Sequence, residues 1–147
     1  MDDFRDLYQQ VILDHNQNPR HFHSMDNATH EADGHNPLCG DQIKVYLFVE
    51  DNLIKDISFE GSGCAISKAS SSLMTTTLIG KTTDEATKLF EEYQTLITTG
   101  KGDTKTLGKL AVMSGVHKFP ARVKCAILSW HTLKNALNNK NETAITE

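Results

Sequence analysis

The 147 residues contain no cluster of basic side chains, no apolar run of membrane-spanning length and only three cysteines. Each scarcity excludes a class of function. Lys and Arg total 15 against 19 Asp and Glu, a formal net charge of −4 that no local basic run offsets. A nucleic-acid interface or an anionic membrane surface is therefore not expected. A spanning helix needs roughly 20 consecutive apolar residues, which are absent, and Met1-Asp2-Asp3-Phe4-Arg5 has no apolar leader core. The expected compartment is the cytoplasm, where the sequons Asn27-Ala28-Thr29 and Asn141-Glu142-Thr143 carry no meaning. An odd cysteine count in a reducing compartment is not a disulfide framework. The length suits one domain over residues 1–147, without internal repeats.

Periodicity places the elements. Phe4, Leu7, Tyr8, Val11 and Ile12 recur at helical spacing, predicting a first helix capped by Asp2 or Asp3 and ended near Asn16, ahead of Asn18-Pro19. Residues 20–37 are polar and His-rich, a loop with a short edge strand near Thr29–Ala32. Ile43, Val45, Leu47 and Val49 then alternate with Lys44, Tyr46, Phe48 and Glu50. Asp51-Asn52 is a two-residue turn, and Leu53–Glu60 returns as the second strand of a hairpin. After Gly61-Ser62-Gly63 a helix is expected from Cys64 to about Ile79, burying Ile66, Ala69, Leu73 and Met74, with Gly80 just past its end. A second helix from Thr83 turns Ala86, Leu89, Phe90, Tyr93 and Ile97 inward. Thr98–Thr106 reads as linker, followed by a short helical piece carrying Leu107, Leu110 and Ala111. The last helix starts at Pro120 and buries Val123, Ile127, Trp130 and Leu137, leaving a frayed polar tail from about 138. About three short strands flanked by helices make the class α+β.

The hairpin brings chemistry together. A two-residue turn at Asp51-Asn52 sets Glu50 opposite Leu53, Asp41 opposite Ser62 and Cys39 opposite Cys64, with opposed Cβ atoms roughly 5 Å apart. Glycines at 40, 61 and 63 permit bulges that shift this end by a residue or two. Two thiols and a carboxylate at one point form an incomplete tetrahedral site. Zinc takes four ligands when structural, or three plus an exchangeable position when reactive. Cys125 is the remaining cysteine, in the first turns of the helix that Phe119-Pro120 introduces, and Cys64 also stands at a helix N-terminus, where the thiolate is favoured. Mixed sulfur and oxygen donors suggest a site that can release a ligand.

These residues lie in recognisable motifs. Leu7-Tyr8, Val11-Ile12-Leu13-Asp14-His15 and Asn18-Pro19-Arg20 resemble the opening of the IscU/NifU-type scaffold superfamily. Asn36-Pro37-Leu38-Cys39-Gly40-Asp41 resembles its first ligand loop. Phe59-Glu60-Gly61-Ser62-Gly63-Cys64-Ala65-Ile66-Ser67, with Ala69-Ser70-Ser71-Ser72, resembles its second, and Lys118-Phe119-Pro120-Ala121-Arg122-Val123-Lys124-Cys125-Ala126 its third. The sequence is most similar to the SufU branch. Lys124 stands where the IscU branch has a histidine, and the connection of about Thr98–His117 is largely missing from that branch. The resemblance implies a small antiparallel sheet with helices on one face, and zinc held by Cys39, Asp41, Cys64 and Cys125. It implies as partner a SufS-type cysteine desulfurase, a pyridoxal-phosphate enzyme, with iron–sulfur acceptor or scaffold proteins further on. The resemblance further implies that a histidine of that partner takes over a zinc position and frees Cys39 to accept sulfur as a persulfide. Arg122 matches the arginine of the last motif, and by charge it suits Asp41 once the carboxylate leaves the metal.

Three readings follow: a zinc-dependent sulfurtransferase-type sulfur acceptor, a scaffold for a transient iron–sulfur cluster on the same residues, and a zinc-stabilised interaction module. Lys124 favours the first over the second, because lysine is a poor iron ligand. An exposed oxygen ligand disfavours the third. Gly80-Lys81-Thr82 is not a phosphate loop, since Thr75 occupies the place of its first glycine. His21, His23, His30 and His35 read as surface histidines, His15 as a helix-end residue contacting carbonyls, and Ser70–Ser72 as small residues that allow close helix packing.

Overall fold

The Asp51-Asn52 turn is formed with both residues at positive φ, 55° and 62°, the geometry that follows the twist of a hairpin. This is a computed structural model, and it describes residues 2–139 and 143–146, with side chains from Gln9 onward. The turn joins β2 (Asp41–Glu50) to β3 (Leu53–Ser62). Glu50 faces Leu53 and Val49 faces Ile54 as expected. Beyond them a bulge leaves Lys55 out of the ladder, so that Phe48 faces Asp56 and Gln42 faces Ser62. The expected register is therefore off by one from Phe48 onward. Continued past the last pair, it brings Asp41 opposite Gly63 rather than Ser62.

The short edge strand expected near Thr29–Ala32 is the seven-residue β1 (His30–Asn36), paired along its length with β2 from His30↔Leu47 to Asn36↔Asp41. Its inward residues are Ala32, Gly34 and Asn36, so it buries almost no apolar side chain and carries no hydrophobic alternation to read. Nor does the polar end of the chain simply fray: β4 (Ala144–Ile145) pairs in parallel with Gly34 and His35. The sheet thus has four strands in the order β3-β2-β1-β4, antiparallel except for that last pair.

Helix α1 spans Asp2–Gln17. The cap expected at Asp2 or Asp3 and the packing expected of Phe4, Leu7 and Tyr8 fall outside the described side chains, while Val11 and Ile12 lie against the core. Helix α2 (Ala65–Leu78) follows β3, and α3 (Thr83–Thr99) opens with a capping box in which Thr82 and Glu85 exchange hydrogen bonds of 3.0 and 3.1 Å. The linker shrinks to residues 100–103. Short α4 (Thr104–Leu107) and a 3₁₀ stretch, Gly108–Lys118, then bury Leu107, Leu110, Met113 and Val116. Helix α5 (Pro120–Leu137) closes the core.

Ala32, Ile43, Val45, Leu47, Ile57 and Phe59 of the sheet share one buried cluster with Leu73 and Met74 of α2 and Ile127 and Trp130 of α5. Trp130 stacks on Tyr93 of α3 at 4.6 Å. Asn36 and Asp41 continue the inward face of β1 and β2 past its apolar part, so two polar side chains end up in the interior. No helix of the described residues is long and apolar enough to cross a membrane.

Candidate metal centre

Residues 37–40 turn from β1 into β2 and carry Cys39, with Gly40 at a φ of 71°. On either side Asn36 and Asp41 form the last ladder pair, and both are completely buried, so Asp41 is not the exposed oxygen donor expected from the sequence: its place on the inward face of β2 takes it out of solvent. Pro120, with no N–H to satisfy, starts α5. Cys125 follows in the next turn, its sulfur 3.1 Å from that of Cys39 and itself fully buried. One ligand atom each of Cys39, Asp41 and Cys125 lies within 4.8 Å of the others. Cys64 stands beside this group without completing it; its Sγ caps α2 by accepting the Ser67 N–H at 3.4 Å.

Asp41 is held from two directions. Oδ1 accepts the Cys64 backbone N–H at 2.8 Å, and Oδ2 lies 3.5 Å from Asn36 Nδ2. A Cβ at position 63 would overlap the Asp41 carboxylate, so only glycine allows this approach. Among the described residues the ion pairs are Arg20–Asp14 and Lys44–Glu31, and Asp41 has none. A buried carboxylate without a cation is costly. Two sulfurs and one carboxylate oxygen are the donor set of a thiophilic dication, so these residues fit zinc.

Arg122 is exposed at the rim of the site. The charge on Cys64, and after it hydrogen bonding and charge from Cys125, raises the pKa of its guanidinium. It faces the sulfurs; the pairing with Asp41 expected from charge is not formed in this state. Burial pushes the Cys125 thiol far up, with hydrogen bonds to Cys39, Asp41 and Cys64 adding to it. A bound dication would reverse that preference, since coordination deprotonates a thiol outright.

The remaining candidates are dispersed. His23 bonds the Ser24 carbonyl (2.8 Å), His30 the Thr29 hydroxyl (2.8 Å) and His35 the Asp41 carbonyl (3.1 Å), while His21 sits at a φ of 57°. None of these histidines joins the thiols in a metal-sized group among the described residues. His15 does not contact helix-end carbonyls. It is buried, with Nδ1 2.7 Å from Ser72 Oγ, which also accepts the Arg20 N–H at 2.9 Å. Ser70 bonds the Ala126 carbonyl (2.6 Å) and Tyr93 (2.8 Å), Ser71 the Ser67 carbonyl (2.8 Å); these serines are packing residues with satisfied hydroxyls. Gly80 and Lys81 are tied to Ile54 through backbone hydrogen bonds of 2.8 Å each.

Two residues of the site went unread in the sequence. Asn36 reaches both Asp41 and Cys125, the latter at 3.4 Å. Its inward phase with Ala32 and Gly34 is the signal, visible only once β1 is known to extend that far. Thr146 bonds the His35 carbonyl through its N–H and the Lys124 carbonyl through its hydroxyl, both at 3.1 Å, clipping β1 to α5 beside the site.

The family model for the NifU-like N-terminal domain matches residues 7–126, which include all three cysteines and Asp41. The chain is 42% identical over 134 residues to the iron–sulfur cluster assembly scaffold protein IscU of Thermotoga maritima, covering 91% of this chain and 94% of that one. It is 40% identical over 133 residues to the zinc-dependent sulfurtransferase SufU of Bacillus subtilis, covering 89% of each. A crystal structure from Fervidobacterium islandicum, described as an iron–sulfur cluster assembly scaffold protein for the SUF system, matches with a TM-score of 0.83 at 34% identity, over 87% of this chain and 94% of that one. With a match that runs through all three cysteine-bearing segments, the chain belongs to the NifU-like N-terminal domain family and is a relative of both IscU and SufU.

Proposed function

We propose that this protein is a zinc-dependent sulfur-transfer protein of iron–sulfur cluster assembly, which accepts persulfide sulfur on Cys39 from a SufS-type cysteine desulfurase in the cytoplasm. The observation that carries the reading is the buried Asp41 carboxylate, which has no cationic partner among the described residues and lies within metal-ligand distance of the Cys39 and Cys125 sulfurs. Cys39, Asp41 and Cys125 would hold zinc, with Cys64 as the fourth ligand. Bound zinc supplies a redox-inert Lewis acid that keeps the thiols deprotonated at neutral pH.

Cys39 is suited to be the acceptor because its backbone belongs to the 37–40 turn, whereas Cys64 caps α2 and Cys125 lies inside α5. Displacing Cys39 therefore unravels no helix. Its thiolate attacks the terminal sulfur of the donor's persulfide. The new S–S bond forms on Cys39 as the donor's S–S bond breaks, and the donor cysteine leaves as a thiolate, so no net oxidant or reductant is needed. Arg122, with its guanidinium by the sulfurs, would attract the anionic donor.

The names of the relatives do not choose between transfer and scaffold, since the IscU and SufU proteins are almost equally similar. Lys124, next to Cys125, supports transfer, because it offers no iron ligand where the IscU branch has histidine. The test is anaerobic incubation of the zinc-loaded protein with iron, cysteine and a desulfurase. The expected result is faster sulfur release from cysteine with little stable visible absorbance, and loss of that stimulation in Cys39→Ala. A stoichiometric, long-lived cluster spectrum formed with loss of zinc would establish the scaffold reading instead.

A further inference from the structure

We propose that Asn36 is a positioning residue that decides which thiol of the site reacts; the inference rests on the zinc and sulfur-transfer reading above. Asn36 ends β1 with its side chain completely buried. A carboxamide has two N–H donors and a carbonyl acceptor, and here all three have partners in different segments. One N–H points to Cys125 Sγ in α5 at 3.4 Å. The other is directed at Asp41 Oδ2 in β2 at 3.5 Å. The carbonyl accepts the backbone N–H of Leu38 at 3.2 Å, one residue before Cys39. For an N–H to oxygen bond 3.5 Å is long and weak. For sulfur, a larger atom, 3.4 Å is an ordinary separation, so Cys125 is the main recipient.

The three sulfurs are then unequal. Cys125 accepts the Asn36 N–H and Cys64 accepts the Ser67 N–H, each at 3.4 Å. Among the described residues, Cys39 Sγ has a polar contact only with Cys125 Sγ, at 3.1 Å, and accepts no N–H. An N–H donated to a thiolate draws electron density from the sulfur and stabilises it as a ligand, at the expense of its nucleophilicity. Two sulfurs are quieted in this way and one is left bare. The Ser67 donor is backbone and comes with the helix; the side-chain donors are the exposed Arg122, which faces both Cys64 and Cys125, and the buried Asn36, which reaches Cys125 and not Cys64. Aspartate at this position would keep the acceptor for Leu38 but offer no donor when ionised, and alanine would offer neither.

The test is chemoselectivity in the zinc-loaded protein, read by peptide mass spectrometry after limiting iodoacetamide, in the unmutated chain, Asn36→Ala and Asn36→Asp. The unmutated protein should be alkylated on Cys39 before Cys125. In both variants the ratio of Cys125 to Cys39 modification should rise by about tenfold, the scale of losing one hydrogen bond to a charged group. After cobalt substitution, both variants should also shift the sulfur-to-metal charge-transfer absorption to lower energy, which loss of packing alone does not cause. An unchanged ratio and band in a folded, metal-loaded variant would overturn the role of Asn36 while leaving the zinc and Cys39 assignments intact. A change in Asn36→Ala that is absent in Asn36→Asp would also overturn it, by tracing the effect to volume or to the Leu38 contact. Loss of metal from both variants would overturn it as well, because Asn36 would then be needed to assemble the site rather than to select a thiol. An unmutated protein that binds no zinc overturns both the proposal and the reading beneath it.

Discussion

At Asp41, one carboxylate oxygen takes the Cys64 N–H at 2.8 Å, and the neighbouring Gly63 leaves no room for a side chain. The β3–α2 junction therefore rests directly on a proposed ligand. Gly63→Ala should push the carboxylate out of position, at a cost of roughly 1–3 kcal/mol, which is about five- to 150-fold in zinc affinity. Competition with a chromophoric chelator measures that loss, and urea unfolding of the metal-free protein measures the part of the clash with buried Asp41 that the fold carries without metal. Affinity equal to that of the unmutated protein would mean that Asp41 is not a ligand. Cys39, Asp41 and Cys64 were legible as neighbours because a hairpin turn converts numbers along the chain into neighbours in space; Cys125, which lies in α5 and takes the place beside Cys39 and Asp41, was legible only as the remaining cysteine and through its motif. Asn36 was not, because its burial follows from a strand whose own residues are almost all polar.

At the scale of elements, the turn, α2, α3 and α5 were read within a residue or two, because each combines a clear period with a capping or turn residue: Asp51-Asn52, Cys64, Thr82, Pro120. The errors have one cause each. The Lys55 bulge beside the turn displaces the register by one, although the glycines at the far end were the visible risk. Strand β4 pairs over two residues only, too few to have a pattern. The docking of α1 on α2 passes through a buried polar contact that no apolar period announces, His15 against Ser72. Burial, and then the charge of Arg20, lowers the His15 pKa below its ordinary 6.5. The unfolded chain therefore takes up a proton more readily than the folded one, so stability is full above about 6.5 and is lost as the pH falls below it toward and through the folded value. His131, also lowered by burial, acts in the same direction. In zinc-free protein the urea midpoint should drop between about pH 7.5 and about pH 5.5, a span that brackets the usual histidine pKa. His15→Gln should flatten that slope without abolishing it. An identical slope in the variant would place the titration elsewhere.

At the scale of the whole molecule, the site is assembled from three places far apart in sequence: the β1–β2 turn, the β3–α2 junction and the start of α5. The apolar cluster fixes the sheet and helices, and the turn bearing Cys39 hangs from the end of the sheet, outside that cluster. A thiol on such a turn can leave and return while the two on helices stay. The measurement that tests this division most directly is peptide mass spectrometry of the zinc-loaded protein after brief reaction with a SufS-type desulfurase and cysteine. The account predicts one added sulfur atom on Cys39, with Cys64 and Cys125 unmodified. Added sulfur on Cys64 or Cys125, with Cys39 untouched, would contradict it.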